Sequence, residues 1–286
     1  MASPTVICVL AGDHDRAVIS TALRCALEGR APYERVGIVG ARELYDGVEW
    51  RRGASAEAEL GRLGEHLARA ESAGLSHVIV EPPSGAAAPD GAQLTCVLGE
   101  GGSGTVRAGE RGLSFSSRSF LADVGASRVI SGYGYLQFVA HTPTWVEPVA
   151  LPLPGAFNVG PALAAIAALE LLGTPMEAVR NGLLRTGVTG HGELLFPPEH
   201  HVCALIEESA EATDRRRAVE AARSDFGDFV VEVVDDVAEI GQAVARGYAR
   251  ARRTLLVLLG SPGAACADAF QAAVRESFSW TEPPEY

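Results

Sequence analysis

Glu199, His200, His201 and Cys203 are four potential metal ligands within five residues, and they lead into the apolar run Val202 to Ile206, which reads as a strand. Adjacent side chains of a strand face opposite ways, so a surface turn is the simpler reading of this group. His141-Thr142 has no acid or cysteine at ligand spacing, and Asp214 with Arg215 to Arg217 reads as a solvated helix face. Ser84 lacks the Gly-x-Ser-x-Gly elbow of a hydrolase nucleophile. The five cysteines, Cys8, Cys25, Cys96, Cys203 and Cys266, are scattered, without Cys-x-x-Cys spacing. That pattern predicts buried thiols in a reducing cytoplasm.

What the chain lacks is as informative. All 24 basic residues are Arg, and there is no Lys. A lysine Schiff base, a carbamoylated-lysine metal bridge and the Lys of a Walker A loop are therefore excluded. Against those 24 stand 36 acids, for a net charge of −12, which argues against nonspecific nucleic-acid binding. A length of 286 residues with 47% hydrophobic and 21% charged content predicts a globular chain of one large or two smaller domains. No apolar run approaches the ~20 residues of a membrane span, and Met1 to Leu10 lacks the basic stretch of a signal peptide. The expectation is a cytoplasmic protein.

The elements that must position any site alternate between strand and helix patterns at both ends of the chain. Thr5 to Leu10, Val36 to Val39, His77 to Glu81 and Leu94 to Leu98 read as strands. Between them, residues 17–28 and 57–72 read as helices, with Leu60, Leu63 and Leu67 at helical spacing in the second. Gly99 to Gly104 reads as a flexible link, followed by short β runs between Thr105 and Leu153 at the spacing of an antiparallel meander. Pro161 to Leu172 and Pro175 to Leu184 read as helices. The last third alternates again, with strands at Val202 to Ile206, Phe229 to Val233 and Thr254 to Leu259, and helices at 212–223, 237–250 and from Gly263 through Arg275. Trp280 to Tyr286 reads as a frayed tail. The fold expected is α/β: a mostly parallel sheet with helices plus a small antiparallel β region over residues 1–188, then a smaller α/β domain over 189–286.

Leu153-Pro154-Gly155-Ala156-Phe157-Asn158-Val159, with the Ala/Leu-rich helix from Ala162 to Ala168, resembles the turn-and-helix motif of the Mur ligases, the muramyl-tripeptide synthetases above all. Three further segments lie in the family's order. Val9-Leu10-Ala11-Gly12 stands where the family has its ATP phosphate loop. Residues 73–81 followed by Ser84-Gly85 are similar to its strand ending in a metal-binding Glu. Residues 187–193 look like its hinge into the C-terminal domain. The resemblance implies ATP- and Mg²⁺-dependent activation of a carboxylate as an acyl phosphate, followed by amine attack. It assigns Gly12, Arg16 and Asn158 to a vestigial nucleotide site and Glu81 to a cation.

The residues at those positions depart from the pattern. A phosphate loop needs glycines that turn consecutive N–H groups toward the phosphates, a Lys for the β/γ oxygens and a hydroxyl for Mg²⁺. This chain reads Gly12-Asp13-His14-Asp15-Arg16-Ala17, with Arg in the Lys position and no hydroxyl at 17. At ~4 Å and an effective dielectric near 20, Asp13 and Asp15 would each oppose a phosphate charge by about 4 kcal/mol. The segment for the bridging lysine is missing between Leu98 and Thr105, the motif's second Asn is Pro161, and His191 replaces the hinge Arg. Glu207 to Ala212 replaces the family's Asp-Tyr-Ala-His-Thr-Pro, and the family's N-terminal domain is absent. The function expected is that of a non-catalytic homologue without cofactor. It would act as a partner or scaffold subunit, paired with a homologous Mur-like amide ligase of peptide or specialised-metabolite biosynthesis or forming a homo-oligomer. The alternatives are an active amide ligase using ATP and Mg²⁺ through Arg16, Glu81 and Asn158, and a small-molecule binding module in the interdomain cleft.

Overall fold

The computed structural model describes residues 3–30, 35–53, 55–260 and 262–279; the expected frayed tail, 280–286, lies outside them. Strand β1 (Thr5–Leu10) carries the run Val6-Ile7-Cys8-Val9, buried on both faces. Such continuous burial is what a central parallel strand requires. It pairs in parallel with β5 (His77–Val80) and β6 (Leu94–Gly99), and β5 pairs in parallel with β2 (Val36–Val39). Two three-residue strands, β3 (Glu43–Tyr45) and β4 (Trp50–Arg52), extend this sheet antiparallel past β2.

On the other side the sheet continues through β7 (Ser103–Ala108), β8 (Arg111–Ser116), β9 (Val124–Gly132), β10 (Tyr135–His141) and β11 (Val146–Leu151). Strands β7 to β11 and the parallel strands therefore form one eleven-stranded sheet, joined where β6 pairs with both β1 and β7; the run expected as an antiparallel meander is broken where β8 pairs in parallel with β9. Gly99 to Gly104, expected as a flexible link, is instead the β6–β7 hairpin, with Gly99 paired to Ser103. Gly101 and Gly102 make its turn at φ of +81° and +74°, a region open to glycine. The outermost strands are blunted against edge pairing: β4 is short and carries Arg51 and Arg52, and β11 contains Pro148.

Helix α1 (Asp13–Leu27) packs with α4 (Val159–Leu171) and α5 (Met176–Leu184). α4 is apolar and buried at every position but Glu170, lying on β6, β7 and β8. α1 and α5 approach so closely that a Cβ on Gly182 would fall 2.5 Å from the Ala26 Cα, which only glycine permits. The single helix expected at 57–72 is two, α2 (Ala56–Gly61) and α3 (Leu63–Ser72), broken where Arg62 leaves helical geometry at φ −108° and ψ 13°.

Packing divides the chain into two units. The first runs to Ile130 and includes Gln137–Pro152 and Phe157–Thr186; the second comprises Ser131–Leu136, Leu153–Ala156 and the chain from Gly187. The second has a four-stranded sheet in the order β12 (His191–Leu195), β13 (Val202–Glu207), β15 (Thr254–Leu259), β14 (Val230–Val234), parallel except for β12. Strand alternation sends Val202, Ala204 and Ile206 toward α7 (Ile240–Tyr248) and α8 (Gly263–Ser279). Cys203 and Leu205 face α6 (Ala212–Asp225) instead. Gly155 of the second unit, at φ +90°, donates its N–H to Asp225 at 2.8 Å and to Ser131 at 3.0 Å. Among the described residues, no helix is long and apolar enough to cross a membrane.

Candidate functional site

Gly12, Arg16, Glu81 and Asn158, the residues the resemblance assigns to a nucleotide and a cation, lie around the carboxyl ends of β1 and β5 in the first unit, the end where open α/β sheets bind ligands. β1 ends at Leu10 and α1 starts at Asp13, so Ala11-Gly12 is the whole connection. The helix was expected to begin near Ala17. Its first turn is instead Asp13 to Arg16, where the two acids favour the positive end of the helix dipole. Gly12 sits at the N-cap with φ −59°, and its carbonyl accepts the Arg16 N–H at 2.8 Å, an ordinary helical bond.

Arg16 lies with its side chain 11% exposed. Its guanidinium donates to the Ala11 carbonyl at 3.3 Å, the Pro82 carbonyl at 3.0 Å and Asp13 Oδ1 at 3.0 Å. It thus ties the end of β1 to the segment after β5. Asn158, fully buried in the 3-10 turn before α4, pairs through Oδ1 with His14 Nε2 at 2.9 Å, and the His14 ring packs 5.1 Å from that of Phe157. His14 stood in the quoted loop, but nothing in the sequence linked it to a residue 144 positions away. At Gly160, in the first turn of α4, a Cβ would fall 2.7 Å from the Gly102 Cα, so the β6–β7 turn rests directly on the helix start.

Glu81, which the resemblance assigns to a cation, is 3% exposed. Its N–H donates to the Val39 carbonyl, and its carboxylate lies against Gly40, where any Cβ would overlap Oε2. The charge facing Oε1 is Arg42 Nη2 at 3.6 Å, and Oε1 has no hydrogen-bond partner. Burial pushes Cys8 up to about 12; burial, then the neighbouring Cys8, does the same for Cys96.

In the second unit, the residues that stand in place of the family's C-terminal pattern bond to one another. Buried Glu207 meets His191 Nδ1 at 2.8 Å and accepts the Ser209 N–H at 3.2 Å. The Ser209 hydroxyl donates to Asp214 at 2.8 Å. Glu208 accepts the Gly263 N–H at 2.6 Å, which places a carboxylate at the positive end of α8. Glu199, His200, His201 and Cys203 do not converge: His200 is exposed, whereas His201 stacks on Tyr248 with centroids 6.0 Å apart.

No family model matches the chain. Among solved structures, it superposes on UDP-N-acetylmuramate–alanine ligase of Thermotoga maritima with a TM-score of 0.56 and 13% identity, covering 96% of this chain and 76% of that one. The UDP-N-acetylmuramoylalanyl-D-glutamyl-2,6-diaminopimelate–D-alanyl-D-alanyl ligase of Acinetobacter baumannii gives 0.60 at 13% identity, covering 96% and 76%. In sequence, 132 residues are 31% identical to UDP-N-acetylmuramoyl-tripeptide–D-alanyl-D-alanine ligase of Escherichia coli K12. The chain has the fold of the Mur ligases. The sequence match covers 44% of this Mur-ligase-like chain and only 28% of the Escherichia coli enzyme. Folylpolyglutamate synthetase of Lactobacillus casei shares the fold as well, with a TM-score of 0.59 at 11% identity over 94% of this chain and 90% of that one.

Proposed function

We propose that this Mur-ligase-like chain is non-catalytic and serves as a partner subunit of an active Mur-like amide ligase. The observation that carries the reading is the two-residue Ala11-Gly12 connection with Arg16 bonded across it. The first-turn N–H groups of α1 lie outside the helical ladder, as in a phosphate cradle, but Asp13 and Asp15 bring two negative charges among them, and the two-residue connection adds no glycine-rich loop to wrap a triphosphate. The cation at the lysine position is engaged by two carbonyls and Asp13, and Ala17 offers no hydroxyl to a metal. At Glu81, the unpartnered Oε1 is the one feature that favours a cation, but Arg42 already brings a positive charge to 3.6 Å. A magnesium triphosphate does not fit these residues.

Titration calorimetry with ATP and Mg²⁺ tests the reading. The expected result is no saturable heat up to millimolar nucleotide; micromolar, magnesium-dependent binding would establish the rival, an active ligase with a remodelled nucleotide site. Co-purification with a lysine-containing Mur-like ligase is the expected companion result.

A further inference from the structure

The β8–β9 loop of the first unit displays two apolar side chains outward, Phe120 at 83% and Leu121 at 97% exposure. This loop is held in shape by side-chain to backbone bonds. The Ser116 hydroxyl accepts the N–H groups of Arg118 at 3.1 Å and Ser119 at 3.0 Å, and the Ser119 hydroxyl accepts that of Leu121 at 3.2 Å. Asp123 Oδ2 accepts both the N–H and the hydroxyl of Ser114, at 2.8 and 2.7 Å. An apolar pair on a preorganised loop loses little entropy on docking, which is how small anchors gain binding energy.

The second unit carries a matching concavity. An open groove of about 330 Å³ lies between the end of β12 and α8, lined by Phe196, Pro198, Phe270 and Val274, with Gln271 and Arg275 at its side. Among the described residues, Arg275 has no ion-pair partner.

We propose that the Phe120-Leu121 knob of one copy of this chain docks in the Phe196–Val274 groove of a second copy. Charge supports that occupant: Asp123, two residues beyond the knob and exposed, would meet the exposed Arg275 as the knob enters. The contact joins two different patches, so it is heterologous, and one copy leaves a knob and a groove free for the next. The knob offers about 350 Å² of apolar surface, judged from the area that aromatic side chains bury. A standard interface takes ~800 Å² from each partner, so the association belongs to the weak class. The inference is independent of whether the chain binds nucleotide.

Sedimentation velocity between about 10 and 300 µM chain, in ~0.15 M salt to screen the net charge of −12, tests it. The average mass should rise with concentration. The F120S/L121S double variant, changed only at exposed positions, should stay monomeric, and so should Q271W, which fills the groove. Mixed together, these two variants should form heterodimers and stop there, because one retains only its groove and the other only its knob. A monomeric wild type, a variant that associates like the parent, or a mixture that stays monomeric would overturn the proposal. A wild type that is monomeric while a small apolar acid binds the groove would assign the groove to a ligand instead.

Discussion

Replacing His66 with Ala should cost about 3–5 kcal/mol of stability, the range for removing one partner from a buried ionic group. His66 lies on α3 with no exposed surface. Its Nδ1 is 2.9 Å from Asp46 Oδ2 in the β3–β4 turn, and its Nε2 is 2.9 Å from Glu59 Oε2 on α2. Arg69 reaches Asp46 at 3.2 Å and Glu49 at 3.0 Å, while Arg51 reaches Glu59 at 2.5 Å. Truncation leaves two buried carboxylates facing a void that each had shared with the ring. Urea denaturation measures the loss, and a decrease under about 1 kcal/mol would show that the network contributes little. Acid should act on the same group of residues. Burial pushes the Asp46 carboxyl up, yet the bonds from the Glu49 N–H, the His66 ring, the Val48 N–H and Arg69 outweigh it and hold the group at about 2. A carboxyl depressed from 3.8 contributes stability that is present above that value and lost as pH falls toward 2. The contribution is on the order of 2 kcal/mol. In the His66→Ala variant, the slope of stability between pH 4 and 2 should therefore flatten.

That network marks the boundary of what the sequence can disclose. β1, β2 and β15 were legible because their apolar runs are short and closed by turn residues, and burial on both faces leaves no competing pattern. β3 and β4 were not, since three residues such as Glu43-Leu44-Tyr45 carry no measurable period and exist through pairing with β2. The start of α1 was missed because His14, Asp15 and Arg16 look like loop polarity. Their helical role depends on the Gly12 N-cap and on Pro82, 66 residues away. Motif order singled out the candidate site residues, yet their chemistry hangs on partners such as Asn158 for His14 and Arg42 for Glu81. Those pairings are set by strand order and not by spacing in the chain.

Arg16→Ala should lower stability by about 2–3 kcal/mol, because it removes a largely buried side chain that donates to two carbonyls and one carboxylate. Arg16→Lys should recover less than half of this. A compact ammonium keeps the charge but cannot reach three acceptors arranged for a planar fork. The direction of the effect distinguishes the two functional readings. A cation kept for a triphosphate must stand unpaired without it, so its removal would leave the free protein's stability nearly unchanged and abolish stabilisation by nucleotide. A cation that cross-links β1 to the segment after β5 behaves in the opposite way: its loss weakens the free protein, and nucleotide has no effect on either form. With about 5 mM Mg-ATP, even a ligand of ~50 µM affinity would add about 2.7 kcal/mol to the folded state. Thermal unfolding of wild type, Arg16→Ala and Arg16→Lys, each with and without Mg-ATP, should therefore show three different stabilities and no nucleotide shift. A wild type raised by more than about 1 kcal/mol, beside an Arg16→Ala variant as stable as its parent, would return the chain to the catalytic members of the fold.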